Sequence, residues 1–181
     1  MSLDDEVALL EAILFMESDP LDTAAFAKIT GFSEDAVLNA LSRLQTIYQE
    51  RHAGLKIEEI AGGFLLVPRD DLWPALKGRY GKKNETNLSR AALETLSVIA
   101  YSQPVTRSEI EIIRGVSPDG MIRLLLSKGF IKVVGKKDSP GRPTQYGTTE
   151  EFLKAFRLAS IADLPRLDEL NEERFRLDGE R

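Results

Sequence analysis

An α+β, mostly helical fold of two tandem winged helices is what the sequence predicts, and three observations predict it. Pro20, Gly31, Ser33 and Asp35 recur as Pro104, Gly115, Ser117 and Asp119, all at a spacing of 84 residues. Ser18 and Ser102 share that spacing, and the apolar pair Leu14-Phe15 lies over Val98-Ile99. In each copy an apolar helix-like segment reaches the proline, a short second helix stops at the glycine, and a third helix opens at the serine. Two short strand-like runs around a glycine-bearing turn come next. Helix–helix–helix–hairpin is the order of a winged helix. A length of 181 residues holds two such units, of about 85 residues each. The predicted boundaries are residues 1–80 for the first unit, 81–87 for a linker, 88–158 for the second unit and 159–181 for an acidic, partly disordered tail.

The first helix is predicted from about Asp4 to Ser18. Val7 to Met16 is apolar apart from Glu11, which at 100° per residue covers nearly the whole circumference, and such a helix must be covered on more than one side. A second subunit meeting Leu10 and Leu14 would cover it, making the protein a homodimer; the alternative is that the wing and the Leu72–Leu76 helix wrap around it. Asp22–Thr30 forms the second helix, with Gly31 as its stop. Ser33 caps the third, whose buried stripe is Ala36, Val37, Ala40, Leu41, Leu44 and Ile47. Leu55–Ile60 and Phe64–Pro68 flank Ala61-Gly62-Gly63 as a hairpin, and a short amphipathic segment carries Leu72, Trp73 and Leu76.

The second copy carries stronger local signals. Ser89 caps a helix with the stripe Ala92, Leu93, Leu96, Ile99 and Ala100. Thr106-Arg107-Ser108-Glu109 is a capping box, hydroxyl at the N-cap and carboxylate at N3, for a helix that ends at Gly115. Ser117-Pro118 opens the third helix with proline at N1, and Gly129 ends it. Phe130–Val134 and Thr144–Thr148 are the wing strands, and Thr148-Thr149-Glu150-Glu151 starts a last helix that runs to about Phe156.

Composition narrows the function. There are no cysteines, which excludes disulfides, thiolate metal sites and cysteine nucleophiles. The N-terminal residues are acidic rather than basic, and the apolar run is too short to span a bilayer, so a soluble cytoplasmic protein without a membrane anchor is expected. The net charge of −5 hides an asymmetry: −7 over residues 1–80, +5 over 81–160 and −3 beyond. The lone histidine, His52, sits beside Arg51 at a helix end, where the helix dipole favours a solvated cation. Asp4-Asp5-Glu6, Glu58-Glu59 and Asp70-Asp71 lack a third ligand at metal spacing, and Gly62-Gly63 is not a phosphate loop. No cofactor, metal or catalytic group is therefore expected.

A winged helix also binds DNA, with its third helix in the major groove and its wing on the backbone. Lys132, Lys136, Lys137 and Arg142 give the second wing a set of phosphate contacts. Against this, the second copy's third helix offers Arg123, Ser127 and Lys128 as its polar groups past the first turn, and the first copy's opens with Glu34-Asp35. Base readout needs more donors than that, so DNA is expected to bind weakly or indirectly. A winged-helix DNA-binding regulator using the basic second wing is the alternative function.

Residues 88–170 also resemble a known family. Ser89-Arg90-Ala91-Ala92-Leu93-Glu94-Thr95-Leu96, Ile99 through Arg107, Glu109 through Val116, Gly141-Arg142-Pro143, Tyr146-Gly147-Thr148-Thr149 and Asp163-Leu164-Pro165 are similar to the segregation and condensation protein B (ScpB) family. Residues 1–80 resemble it more loosely, through Asp19-Pro20-Leu21 and Ala61-Gly62-Gly63. Arg157 departs from the pattern, which has glycine there, so a different exit from the last helix is expected. The resemblance implies a non-catalytic subunit of a bacterial SMC complex, acting in chromosome condensation and segregation and associated with the nucleoid. It implies a homodimer formed through the first winged helix and bound to the kleisin ScpA, and through ScpA to SMC. On the second unit, Tyr101, Arg107, Arg114, Arg142 and Tyr146 are candidate kleisin contacts, since aromatic and arginine side chains are the usual interface anchors.

Overall fold

A computed structural model describes residues 3–80 and 88–165; the predicted linker and the chain beyond Pro165 lie outside the described residues. In the first half, α1 (Leu3–Met16), α2 (Thr23–Thr30) and α3 (Glu34–Glu50) precede the antiparallel pair β1 (Leu55–Ile60) and β2 (Gly63–Pro68). A 3-10 turn over Asp70–Leu72 then leads into α4 (Trp73–Tyr80). The starts of α2 and α3 are chemically marked. The Asp22 carboxylate accepts from the Ala25 amide at 2.7 Å, and the Ser33 hydroxyl from Ala36 at 3.2 Å, each satisfying a donor that the first helical turn leaves unpaired. Val7, Leu10, Leu14, Phe26, Val37, Ala40, Leu41, Leu44 and Ile57 form one core, with Phe64 and Leu66 of the wing packed on it. The wing turns through Ala61 and Gly62, both with positive φ (53° and 75°), as a two-residue hairpin loop of the I′ kind requires.

Gly63 cannot be any other residue without displacement. A β-carbon there would lie 2.9 Å from the Leu21 nitrogen and 2.9 Å from the Pro20 carbonyl carbon. That approach lets Leu21 and Phe64 exchange two backbone hydrogen bonds (3.1 and 2.8 Å) and tie the start of α2 to the wing.

The second half repeats the plan: α5 (Arg90–Ser102), β3 (Val105–Thr106), α6 (Arg107–Arg114), α7 (Asp119–Ser127), β4 (Ile131–Lys136), β5 (Thr144–Thr148) and α8 (Glu150–Phe156). Its sheet runs β3-β5-β4, all antiparallel. The strand β3 goes unpredicted because two residues carry no periodicity; it occupies the place of Leu21 in the first half, one repeat earlier. A separate core gathers Leu96, Ile99, Ala100, Val105, Ile110, Ile122, Leu125, Phe130, Ile131 and Phe152. Helix order, hairpin and topology are those of two winged helices.

The 84-residue spacing holds through α2 and α6, whose bounds and left-handed glycine ends (Gly31 φ 77°, Gly115 φ 71°) match. It slips by one at the third helix. Ser33 caps α3, but Pro118, not Ser117, occupies the N-cap of α7, and no side chain caps it. Ser117 instead donates to the Asp119 carboxylate at 3.1 Å. The expected proline at N1 is thus corrected to the N-cap.

Arg157 likewise departs from expectation. It adopts the left-handed conformation itself (φ 54°, ψ 47°), and the Leu158 and Arg157 amides bond the Leu153 (2.9 Å) and Lys154 (3.3 Å) carbonyls. This is the helix end a glycine would make, so the exit path survives the substitution. Beyond it, Leu158 and Ala159 offer their carbonyls to the amides of Ala61 (2.8 Å) and Gly62 (3.1 Å) on the first wing. Ser160 and Asp163 cap a 3-10 turn over Ile161–Asp163. The first residues assigned to a partly disordered tail are therefore a formed strap between the two units.

Candidate protein-interaction site

On the first unit, one stripe of α1 faces inward. Leu10 and Leu14 are 0% and 1% exposed, inside the core with Val7, and this corrects their assignment as subunit contacts: within one chain they present no surface. Helix α3 and the first wing cover them, while the Leu72–Leu76 segment that the alternative also named is not part of that core. The opposite arc is Ala8, Leu9, Ala12, Phe15 and Met16, all exposed, spanning about 120° of the helix at 100° per residue. Phe15 and Met16 are 78% and 83% exposed. Glu11, the single polar interruption, turns toward α3 and accepts from the Tyr48 hydroxyl at 2.7 Å. Burial, and then that carboxylate, push the Tyr48 hydroxyl up to about 12. An apolar arc this wide has no covering element among the described residues.

The five candidates on the second unit do not form one site. Arg107 opens α6 and is held on two sides: its Nη1 bonds Glu111 at 2.8 Å and its Nη2 bonds the Asp119 carboxylate at 2.9 Å. That guanidinium holds the Asp119 carboxyl down to about 2. Tyr146, half-buried on the second core, lines an open cleft of about 400 Å³ with Arg107, Asp119, Ile122, Arg123 and Leu126. Arg107 and Tyr146 are therefore brought together. Arg114 leaves the other end of α6 for Glu94 on α5, at 3.2 Å, with its side chain only 9% exposed. The Tyr101 hydroxyl is already engaged by the Pro165 carbonyl at 2.7 Å. Arg142 stands exposed at the wing tip with φ 43°.

The exposed apolar residues of α6 and its end, Ile112, Ile113 and Val116, escape the sequence reading. A signal existed: Ile112 lies two residues from the buried Ile110, and 200° around a helix puts them on opposite faces. On the wing, Lys132, Lys136 and Arg142 are exposed, whereas Lys137 pairs with Glu109. Lys137, then the Thr106 amide and hydroxyl, hold the Glu109 carboxyl down to about 2. Among the described residues no group of three His, Cys, Asp or Glu side chains could hold a metal ion. No helix among them is long and apolar enough to cross a membrane.

Residues 8–167 match the family described as segregation and condensation complex subunit ScpB. The chain belongs to that family. It is 43% identical over 166 residues to segregation and condensation protein B of Desulforamulus reducens, covering 92% of this chain and 91% of that one. Among solved structures it is similar to ScpB from Mycobacterium tuberculosis, at 32% identity over 86% of this chain and 97% of that one, with a TM-score of 0.42. It is also similar to an ScpB N-terminal domain solved as a dimer complexed with an ScpA peptide, at 28% identity over 42% of this chain and 95% of that one, with a TM-score of 0.40. ScpB proteins are thus what this chain is related to along nearly its whole length, as a family of complex subunits.

Proposed function

We propose that the protein is a non-catalytic adaptor in chromosome condensation and segregation. It dimerises through the first winged helix and binds the kleisin ScpA chiefly through the second, with SMC joined through ScpA, in the cytoplasm on the nucleoid. Membership of a complex-subunit family supports this reading. The observation that carries it is the outer arc of α1, where Ala8, Leu9, Ala12, Phe15 and Met16 present an apolar surface that Asp5 interrupts only at its N-terminal end. A surface of that kind marks a protein–protein contact, and a symmetric dimer buries it against itself.

On the second unit the Arg107–Tyr146 cleft is the proposed ScpA contact. Arg107 is pre-ordered by two carboxylates and so loses little side-chain freedom on binding, while Tyr146 and Leu126 supply apolar area. Titrating full-length protein with ScpA in a calorimeter tests the reading. The unaltered chain should bind, and Leu126→Glu, at a residue 37% exposed, should weaken binding at least tenfold. Binding unchanged by Leu126→Glu would refute the cleft, and no binding by the unaltered chain would refute the partner.

The alternative of a DNA-binding regulator draws on the exposed Lys132, Lys136 and Arg142. It is opposed by Asp119, which opens α7 with a carboxylate where phosphate would approach. A titration of DNA affinity against salt separates the two. A steep slope would favour the regulator, because several neutralised phosphates release counterions.

A further inference from the structure

The two cores share no residue, and polar groups tie one unit to the other. Past α8, Leu158 and Ala159 give their carbonyls to the Ala61 and Gly62 amides at the tip of the first wing. Charges of opposite sign surround that backbone pairing. Arg157 reaches Glu58 at 2.6 Å and Asp70 at 3.8 Å, and Lys154 reaches Asp19 at 3.7 Å. Lys56 binds the same two carboxylates, at 3.1 and 2.6 Å, so Glu58 and Asp70 are positioned from within their own unit.

Arg157 sets this boundary apart. Its φ of 54° and ψ of 47° lie where glycine fits freely and a β-carbon is strained. Such strain persists where the surroundings over-determine it, and it clusters at switches. Here the backbone pairing acts on one side of Arg157 and the two carboxylates on the other. The side chains of Asp19, Asp70 and Arg157 are 78%, 72% and 41% exposed, so dissolved ions reach these pairs and screen them. Units joined by a small polar contact move relative to each other by default. We infer that Arg157 closes an ionic latch, which fixes the second winged helix against the first at low ionic strength and releases it when the charges are screened. Closed, it holds the α1 arc and the Arg107–Tyr146 cleft in one mutual orientation; open, it lets the cleft swing about the first unit. The latch needs no ScpA, so it stands or falls apart from the ScpA proposal.

The absence of cysteine makes the test clean. Ser42→Cys and Ser127→Cys place a nitroxide on α3 and another on α7, both at exposed positions outside the latch. Pulsed dipolar spectroscopy of the full chain reads their separation, and dilution with excess unlabelled protein restricts it to distances within one chain. At low salt a single narrow distance should dominate. At about 1 M salt, where charges act over only about 3 Å, a broad second population should grow about fivefold or more, since one exposed pair alone is worth up to about that factor. Arg157→Gly keeps the left-handed turn and removes the charge, so it should show the broad population already at low salt, with circular dichroism unchanged. A narrow distance that survives either about 1 M salt or Arg157→Gly would overturn the inference, because the backbone pairing alone would then hold the units. A broad distribution in the unaltered chain at low salt would overturn it as well.

Discussion

Arg157 concentrates two opposing effects in one residue. Its left-handed backbone costs about 1–2 kcal/mol for a side chain with a β-carbon. Its guanidinium reaches Glu58 at 2.6 Å and Asp70 at 3.8 Å across the boundary between the units, and at a partly exposed site such pairs return at most about 1 kcal/mol. Arg157→Ala keeps the strain and loses the pairs, whereas Arg157→Gly loses both. Chemical denaturation should therefore find the glycine variant more stable than the alanine variant by about 1 kcal/mol; equal stability would mean the backbone is not held left-handed. Glu109 makes a pH prediction. Its folded carboxyl titrates near 2, against an ordinary value of 4.5. A depressed acid contributes stability that is fully present above the unfolded value and is lost as pH falls through the folded one. Stability of the second unit should thus decline between about pH 4.5 and 2, and Glu109→Gln, which still completes a capping box, should flatten that decline in melts across the range. The caps at Ser33, Thr106 and Thr149 were legible because a cap is a bond between neighbours in sequence. The partners of Arg157 were not, because Glu58 and Asp70 lie some hundred residues away and carry no mark of it.

Helices and strands show where periodicity informs and where it stops. An all-round apolar α1 announces two covered faces without saying which belongs to the monomer. Val7, Leu10 and Leu14 prove to be the inward stripe and Phe15 and Met16 part of the outward one, and the choice depends on where α3 and the wing lie. The two faces should respond differently to charge. Leu10→Glu buries a carboxylate without a partner and should unfold the first unit, at a cost of several kcal/mol. Phe15→Glu with Met16→Glu should leave circular dichroism unchanged and convert dimer to monomer in sedimentation. Intact dimers after the double substitution would remove the outer arc as the interface. The wing is equally constrained. Gly63→Ala places a methyl against backbone atoms of Pro20 and Leu21, and overpacking of that kind costs about 1–3 kcal/mol. Trp73, the single tryptophan, lies in the first unit, so its fluorescence should register an earlier transition there.

At the scale of the molecule, two winged helices were legible because the repeat places proline and glycine at the same points of both copies. The strap was not, since its hydrogen bonds are between backbone groups of Ala61, Gly62, Leu158 and Ala159, whose side chains advertise nothing. The candidate partner residues fared unevenly for a related reason. Arginine and tyrosine mark interfaces on average, but here Arg114 and Tyr101 are occupied by Glu94 and Pro165, and only Arg107 and Tyr146 meet. The proposed function then rests on an arrangement of surfaces: an apolar arc proposed for self-association on one unit and an arginine–tyrosine cleft proposed for a second protein on the other. Light scattering of the size-separated protein, alone and with ScpA, tests this most directly. A chain of 20.2 kDa should elute alone at twice that mass and, with ScpA present, move into a heavier peak containing both proteins. A single-chain mass that ScpA leaves unchanged would contradict the adaptor.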